Sequence, residues 1–136
     1  MKALLRFILV LLIAVRWTPT FGGAHHATAT QFETSKTVKL KGVVKKLDWA
    51  NPHVHVYVDV KAERDLIEHW DVELASPGGI IVAGLSRDML KPGTVLEFTG
   101  YPGKANISSR TSAEFSVCAT QVTLTDGTTA TFVVGI

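Results

Sequence analysis

The 136-residue sequence contains a single cysteine, Cys118, so an internal disulfide is excluded. It has no glycine-rich phosphate-binding loop, and none of its serines lies in a recognisable nucleophile–base motif. The longest apolar run, Phe7–Val15, is shorter than the about 20 residues that a membrane span needs. These absences favour a binding protein over an enzyme, with an enzyme of an unrecognised type as an alternative.

The first 24 residues have the organisation of a secretory signal peptide. Lys2 and Arg6 precede the apolar run, and Gly22, Gly23 and Ala24 are small residues suited to a cleavage site. We therefore predict a signal peptide at residues 1–24, a leader at 25–36 and a domain at 37–136. A periplasmic or secreted protein with no stable membrane span follows from this prediction. Cleavage two residues earlier and a retained N-terminal anchor are the alternatives.

The charge balance changes once the signal peptide is set aside. The chain has 14 Lys and Arg against 12 Asp and Glu, but Lys2, Arg6 and Arg16 all lie in the first 24 residues. The remaining chain has a net charge of about −1. No basic excess is left to favour a nucleic-acid partner.

Residues 53–74 show the clearest strand pattern in the sequence. Apolar and polar residues alternate through 53–60 and again through 67–74, as expected for two half-buried strands joined as an antiparallel hairpin. The predicted inward residues are Val54, Val56, Val58, Val60, Trp70, Val72 and Leu74. The predicted outward residues are His53, His55, Tyr57, Asp59, His69, Asp71 and Glu73. Two pairing registers fit, and they place His55 opposite Asp71 or Glu73, and His69 opposite Tyr57 or Asp59.

A strand also precedes this hairpin, over residues 37–49. The parity of its apolar residues switches near Lys45 and Lys46, which predicts a β-bulge, and Gly42 predicts a kink. Lys39, Lys41 and Lys45 share one parity, which is typical of a solvated face.

The second half of the chain predicts one helix and further strands. Ser76-Pro77 resembles a helix start, with Ile80, Ile81 and Leu85 expected on one buried face. The next strand is predicted at 94–101, with Val95, Leu96 and Phe98 as inward candidates. A long polar loop follows at 100–115, then a strand at 115–124, and Asp126-Gly127 predicts a hairpin into 131–134. Cys118 is predicted to be a small core residue.

Five to seven strands and one short central helix indicate a mainly β protein. We predict a small antiparallel β-barrel resembling the oligonucleotide/oligosaccharide-binding (OB) fold. A β-sandwich is the alternative.

The histidines are the candidate metal ligands. His53 and His55 share a strand face, and imidazoles near carboxylates are the ligand types that Zn²⁺ and Cu²⁺ accept. Cleavage after Ala24 would give His25 a free α-amino group beside its own ring, and His26 adds another imidazole. The sequence therefore predicts a Cu or Zn site from His25, His26, His53 and His55. The alternative interpretation is an ordinary solvated sheet face after a frayed terminus.

Binding of a small ligand or a periplasmic protein, with no metal, is the second hypothesis for this surface. Aromatic and polar side chains near the histidines would then supply the contact area, and the histidines would be incidental. The residues predicted for it are Trp49, Asn51, Tyr57, His69 and Asp71. Tyr101 would add a further aromatic contact.

Several motifs together resemble a known family. The chain reads "AHHATATQF" after the signal, then "KLKGVVKKLDWANPHVHVYVDV", "HWDVELASP", "LKPGTVLEFTGYP" and "VTLTDG". This order is similar to that of short exported bacterial proteins known only as a domain of unknown function. The resemblance implies a periplasmic OB-like barrel and brings no established activity. The matching positions are His25, His26, Trp49, Asn51, Pro52, His53, Trp70, Pro77, Pro92 and Gly93.

The chain departs from that family pattern at two places. Ala27 stands where a serine usually follows the paired histidines, and the 76–90 segment lacks the usual Asn, Arg pair and Trp. Of the two strand histidines, only His53 matches a family position.

Overall fold

The computed structural model describes residues 29–105 and 114–133. His25, His26 and the predicted signal peptide lie outside these residues, as does the middle of the predicted polar loop. The described elements are β1 (Val38–Asp48), β2 (His55–Lys61), β3 (Ile67–Glu73), α1 (Pro77–Val82), β4 (Val95–Pro102), β5 (Glu114–Leu124) and β6 (Thr129–Thr131). Short 3₁₀ turns lie at Glu63–Asp65 and Arg87–Leu90.

Five of the strands form a closed barrel. The sheet order is β3-β2-β1-β4-β5-β6, and β3 also pairs with β5, so β1 to β5 close on themselves. The β3–β5 pairing is parallel, while the other pairings are antiparallel. A five-stranded barrel with one helix between β3 and β4 is the predicted OB-like architecture, and closure rules out the sandwich.

The core lies inside the barrel, as the alternation predicted. The residues of the predicted hairpin that were expected to face inward are all buried: Val54, Val56, Val58, Val60, Trp70, Val72 and Leu74. Trp70 stacks on Phe115 of β5 at 5.0 Å between ring centroids, and it also contacts Phe98 of β4. The large aromatic side chain thus packs across the parallel seam that closes the barrel.

Strand β1 bends where its sequence parity changes. The β1–β2 register shifts between Val44 and Lys46, so the predicted bulge is confirmed. A side chain on Gly42 would overlap the carbonyl oxygen of Asp59 and the side chain of Val58 on β2. Glycine at this position lets β1 and β2 approach closely, whereas the kink predicted there stays a prediction.

The helix start is confirmed, but its predicted buried face is wrong at one position. The Ser76 side chain accepts a hydrogen bond from the backbone N–H of Gly79, and Pro77 is the first helical residue. Ile80 and Leu85 are buried, whereas Ile81 is 61 % exposed. Adjacent helical residues point about 100° apart, because the helix has 3.6 residues per turn, so Ile80 and Ile81 do not share a narrow face.

One side-chain direction and two element boundaries also differ from the sequence predictions. On β4 the inward residues are Leu96 and Phe98, and Val95 faces the other way as strict alternation requires. The predicted polar loop is shorter than expected, because β4 extends to Pro102 and β5 begins at Glu114. The Asp126-Gly127 turn joins β5 to a strand at Thr129–Thr131 rather than 131–134.

The segment before β1 contributes to the fold. Phe32 is buried and forms an isolated bridge with Gly103, and the N–H of Glu33 donates to the carbonyl of Pro102. This segment therefore packs on the end of β4.

Candidate functional site: a histidine–carboxylate face

The outward residues of β2 and β3 form a surface that we call the histidine face: His53, His55, Tyr57, Asp59, His69, Asp71 and Glu73. Of the two registers that fit the sequence, the structure has His55 opposite Glu73, Tyr57 opposite Asp71, and Asp59 opposite His69. Backbone hydrogen bonds between Val54 and residues 74–75 extend the ladder beyond β2, which places His53 at its end.

Each histidine of this face has its Nδ1 atom against a carboxylate. His55 Nδ1 lies 2.8 Å from Asp71 Oδ1, and His69 Nδ1 lies 2.7 Å from Asp59 Oδ1. His53 Nδ1 contacts Glu73 Oε1 in the same way. The His53 and His55 contacts are diagonal, reaching the carboxylate two residues along β3 from the position directly opposite, whereas His69 bonds the residue directly opposite.

This pairing determines which ring nitrogen is open to a ligand. An ionised carboxylate only accepts hydrogen bonds, so each Nδ1 carries the hydrogen and donates the hydrogen bond. In a neutral imidazole, Nε2 is then the unprotonated nitrogen, with its lone pair directed away from the carboxylate. The same arrangement orients metal-binding histidines in proteins. The side chains are 48 %, 33 % and 58 % exposed at His53, His55 and His69, so solutes reach them.

The face has two ends of opposite charge. At the His53 end, His55 lies between two acidic strand partners, Asp48 on β1 and Glu73 on β3. Toward the other end, Lys46 Nζ lies 4.9 Å from the centre of the Tyr57 ring, and Lys45 Nζ lies 3.8 Å from Asp59 Oδ2. The first end suits a cation, whereas Lys45 and Lys46 lie at the β1 bulge.

Only some of the residues predicted for small-ligand binding lie close together in the structure. Tyr57, His69 and Asp71 line one surface depression together with Lys45 and Asp59. Trp49 does not line it and is instead half-buried against the core. Asn51 is exposed before a cis bond to Pro52, in the turn between β1 and β2.

The described residues do not form a complete metal site by themselves. Within 29–105 and 114–133, no three His, Cys, Asp or Glu side chains are arranged so that they could hold an ion. The two remaining predicted ligands, His25 and His26, lie outside the described residues. A site built on this face therefore needs ligands from elsewhere in the chain.

The sequence places Glu73 and Asp59 among the possible strand partners of His55 and His69, but it does not predict that Glu73 orients His53. Both residues are predicted to face outward, so the alternation indicates that they share a face with the histidines. The diagonal contact was not visible, because it depends on the exact register and on side-chain reach. Asp48 was also missed, since its position beside His55 follows from the register shift at the bulge.

Cys118 takes no part in this face. It is buried in β5, and burial raises the pKa of its thiol to about 12, with a smaller contribution from the charge of Glu73. The predicted small core residue is confirmed, and a thiol with such a pKa is a poor nucleophile near neutral pH.

A family model matches residues 14–112, which include β1 to β4 and the whole histidine face. The chain belongs to DUF6152, a family of unknown function. The predicted resemblance to a family of unknown function is thereby confirmed. No curated protein matches this DUF6152 chain.

Among solved structures, the DUF6152 protein is similar to the mitochondrial single-stranded DNA binding protein Rim1 from S. cerevisiae. The match has a TM-score of 0.49 and 8 % identity, and covers 66 % of this chain and 93 % of the other. A likeness at this level carries no inference about a ligand. Among the described residues, no helix has the length and apolar character to cross a membrane.

Proposed function

We propose that this DUF6152 protein is a small exported binding protein, not an enzyme, that holds Cu²⁺ or Zn²⁺ on its histidine face. The ligands are His53 and His55 from the barrel and His25 and His26 from the mature N-terminus. The signal-like sequence at residues 1–24 supports a periplasmic or secreted location. The role is to hold or deliver the ion, or to support a metalloenzyme in that compartment.

The observation that carries this proposal is the pairing of every histidine on the face with a carboxylate through Nδ1. Such pairing fixes the ring and leaves Nε2 as the ligand atom. His53 and His55 are two residues apart on one face, so their Cα atoms are about 6.6 Å apart along an extended chain. Asp48 and Glu73 beside His55 add negative charge that favours a bound cation.

Two barrel imidazoles leave coordination positions for the N-terminus to fill. Zn²⁺ prefers four tetrahedral ligands, and Cu²⁺ accepts a nitrogen-rich plane. A mature chain that begins at His25 offers an α-amino nitrogen and an imidazole on one residue, followed by the ring of His26. This supply of ligands is consistent with the incomplete set on the described barrel.

The test is a metal titration of mature protein that begins at His25, with no added residue before it. Cu²⁺ and Zn²⁺ are added separately and followed by calorimetry. We expect one equivalent to bind tightly, and the His25→Ala, His53→Ala double variant to lose that binding. Unchanged affinity in the double variant would falsify the proposed site.

His69→Ala is the matched control for this titration. It removes the same kind of imidazole–carboxylate pair, but His69 lies at the level of Asp59 on the ladder. That is four residues from His55, or about 13 Å along an extended strand. Affinity for one equivalent should be unchanged in this variant. Mass spectrometry of the exported protein then verifies that the mature chain begins at His25.

A second candidate is an accessory module that binds a small ligand or a periplasmic protein without metal. The depression lined by Tyr57, His69 and Asp71 favours it. The probe is a metal-free extract of periplasmic small molecules added to ¹⁵N-labelled protein. Chemical-shift changes confined to this depression, and absent in Tyr57→Ala, would support this candidate.

Nucleic acid is not a partner in either proposal. Four carboxylates lie on or beside the histidine face, at Asp48, Asp59, Asp71 and Glu73. They would repel phosphates, whose neutralisation by Lys and Arg dominates nucleic-acid affinity. A fluorescent single-stranded oligonucleotide should therefore show no binding at 150 mM salt. Binding with a micromolar Kd would contradict the exclusion of nucleic acid as a partner.

A further inference from the structure

A second groove lies on the outer wall of the barrel, and its floor is apolar where polar residues are expected. Val43 of β1 and Ile67 of β3 both occupy outward positions, yet they are large apolar side chains, 40 % and 51 % exposed. Val95 of β4 is the ladder partner of Val43 and lines the same groove. On a half-solvated barrel wall, three apolar side chains at outward positions indicate a surface that contacts something apolar.

Three lysines surround this floor. Lys41 and Lys45 of β1 and Lys61 of β2 line the groove with Val43, Ile67 and Val95, and its volume is about 420 Å³. Lys61 is the ladder partner of Ile67, so an ammonium group and an apolar side chain lie side by side across the β2–β3 pairing. We call this the lysine groove.

The carboxylates near the lysine groove already contact other basic side chains. Asp59 is the acidic residue among the described residues that line the groove, and it contacts His69 Nδ1 at 2.7 Å and Lys45 Nζ at the longer distance of 3.8 Å. Glu97, the ladder partner of Lys41, pairs with Lys39 at 2.9 Å. Across the part of the chain that the structure describes, Lys41 forms no salt bridge.

The remaining pair at the groove is weak. Lys61 Nζ contacts Asp65 Oδ1 at 2.6 Å, but both side chains are largely exposed, and such surface pairs contribute little. A ligand anion can therefore compete for Lys61 as well as Lys41. The groove has a net positive charge over an apolar floor.

We propose that the lysine groove binds a free anionic amphiphile of the fatty-acid class. The carboxylate head lies between Lys41 and Lys61, and the alkyl chain covers Val43, Ile67 and Val95. An inorganic anion would leave the floor exposed, and a neutral apolar molecule would leave the ammonium groups without a partner. An amphiphile satisfies both parts of the groove.

The surrounding charges favour a free molecule over a membrane surface. The β2–β3 connection next to Ile67 carries two exposed acidic residues, Glu63 and Asp65. An anionic bilayer would be repelled by these carboxylates, whereas a single amphiphile contacts only the groove.

The experiment titrates metal-free protein with sodium decanoate and sodium dodecanoate below their critical micelle concentrations. Calorimetry and ¹H–¹⁵N spectra report affinity and location, and the shifts should lie at Val43, Ile67 and Val95. Two added methylenes should tighten binding by up to about 15-fold, since each buried methylene contributes about fourfold. Because no metal is present, the result is independent of the proposed metal site.

Charge and location are each tested by a matched pair. Dodecyltrimethylammonium has the same chain with a cationic head, and it should bind at least tenfold more weakly than dodecanoate. Lys41→Gln and Ile67→Thr should each weaken dodecanoate at least tenfold. Lys36→Gln and Ile81→Thr change an exposed lysine and an exposed isoleucine away from the groove, and should have no effect. Circular dichroism melting curves verify that each variant folds.

Three results would overturn the proposal. The first is no saturable binding of dodecanoate, and the second is equal affinity for the cationic analogue or for the Lys41→Gln and Ile67→Thr variants. The third is binding to phosphatidylglycerol vesicles when neither phosphatidylcholine vesicles nor monomeric dodecanoate bind. That result would assign the groove to an anionic membrane surface.

Discussion

The Nδ1 atom of His55 lies 2.8 Å from Oδ1 of Asp71, although the direct strand partner of His55 is Glu73. Glu73 instead contacts His53, so the two histidines use successive carboxylates of β3 in the same diagonal direction. Both rings are therefore tied to β3 while their Nε2 atoms stay open. This coupling of two strands by two oriented imidazoles is the feature on which the metal proposal depends.

Replacing the carboxylate of Asp71 should weaken metal binding without removing a ligand. In Asp71→Asn the acceptor that orients His55 is lost, and loss of such a partner typically lowers metal affinity by about 10- to 100-fold. A competition titration with a chelator of known affinity measures the change. Asp59→Asn removes the equivalent partner of His69, which lies away from the proposed ligands, and should leave affinity unchanged. Equal losses in both variants would contradict the assignment.

Gly100 should tolerate no side chain. A Cβ at this position would lie 2.7 Å from the Cα of Ala119 and would overlap the carbonyl oxygen of Cys118 on β5. We expect Gly100→Ala to lower the free energy of unfolding by at least about 2 kcal/mol, because overpacking displaces backbone that is held in the barrel. Urea denaturation measures this value.

Gly78→Ala is the control for that substitution. The residue is in α1, and among the described residues outside its own helix and chain neighbours, no atom lies within 4 Å of a Cβ placed there. Alanine should be neutral or more stable by about 0.5–1 kcal/mol, because it loses less conformational freedom on folding. If the two variants were equally stable, the close approach of β4 and β5 would be refuted.

Two adjacent isoleucines of α1 should respond very differently to truncation. Ile80 is fully buried in the core, so Ile80→Ala should cost about 2–5 kcal/mol through lost burial and a residual cavity. Ile81 is mostly exposed, so Ile81→Ala should change stability by no more than about 0.5 kcal/mol. Thermal and urea unfolding measure the stability of both variants. A large loss of stability in Ile81→Ala would show that α1 is rotated so that Ile81, rather than Ile80, faces the core.

Cys118 should make the fold sensitive to alkaline pH. Burial raises the pKa of its thiol to about 12 from an ordinary value of 9.0. The folded state therefore favours the protonated thiol, and this stabilisation is complete below pH 9 and declines as the pH rises from 9 toward 12. The melting temperature should fall between pH 8 and pH 10.

The variant Cys118→Ala isolates this effect from other groups that titrate above pH 9. Its melting temperature should fall less over the same interval than that of the unmodified protein. Iodoacetamide should label native Cys118 slowly at pH 8 and rapidly in 6 M guanidinium chloride. Fast labelling of the native protein would show that the thiol is not buried.

The wall of the barrel could be predicted from the sequence where the pattern is local. Alternation from Val54 to Val60 and from Trp70 to Leu74 identified both strands, their core faces and the outward histidines. The parity switch at Lys45 and Lys46 located the bulge in β1. These features depend only on side-chain direction along one strand, which the residue order determines. Helix α1 was less predictable, since six residues with three neighbouring apolar positions do not define one face.

The barrel closure and the two ligand surfaces were decided by the tertiary structure. The parallel pairing of β3 with β5 joins segments far apart in the chain, and no local pattern encodes it. The register makes Glu73 the strand partner of His55, and only the side-chain geometry makes Asp71 its hydrogen-bond partner. Lys41, Lys45 and Lys61 look like an ordinary solvated set until three strands bring them around Val43, Ile67 and Val95. Alternation determines which way each side chain points, but only pairing between strands determines which side chains meet.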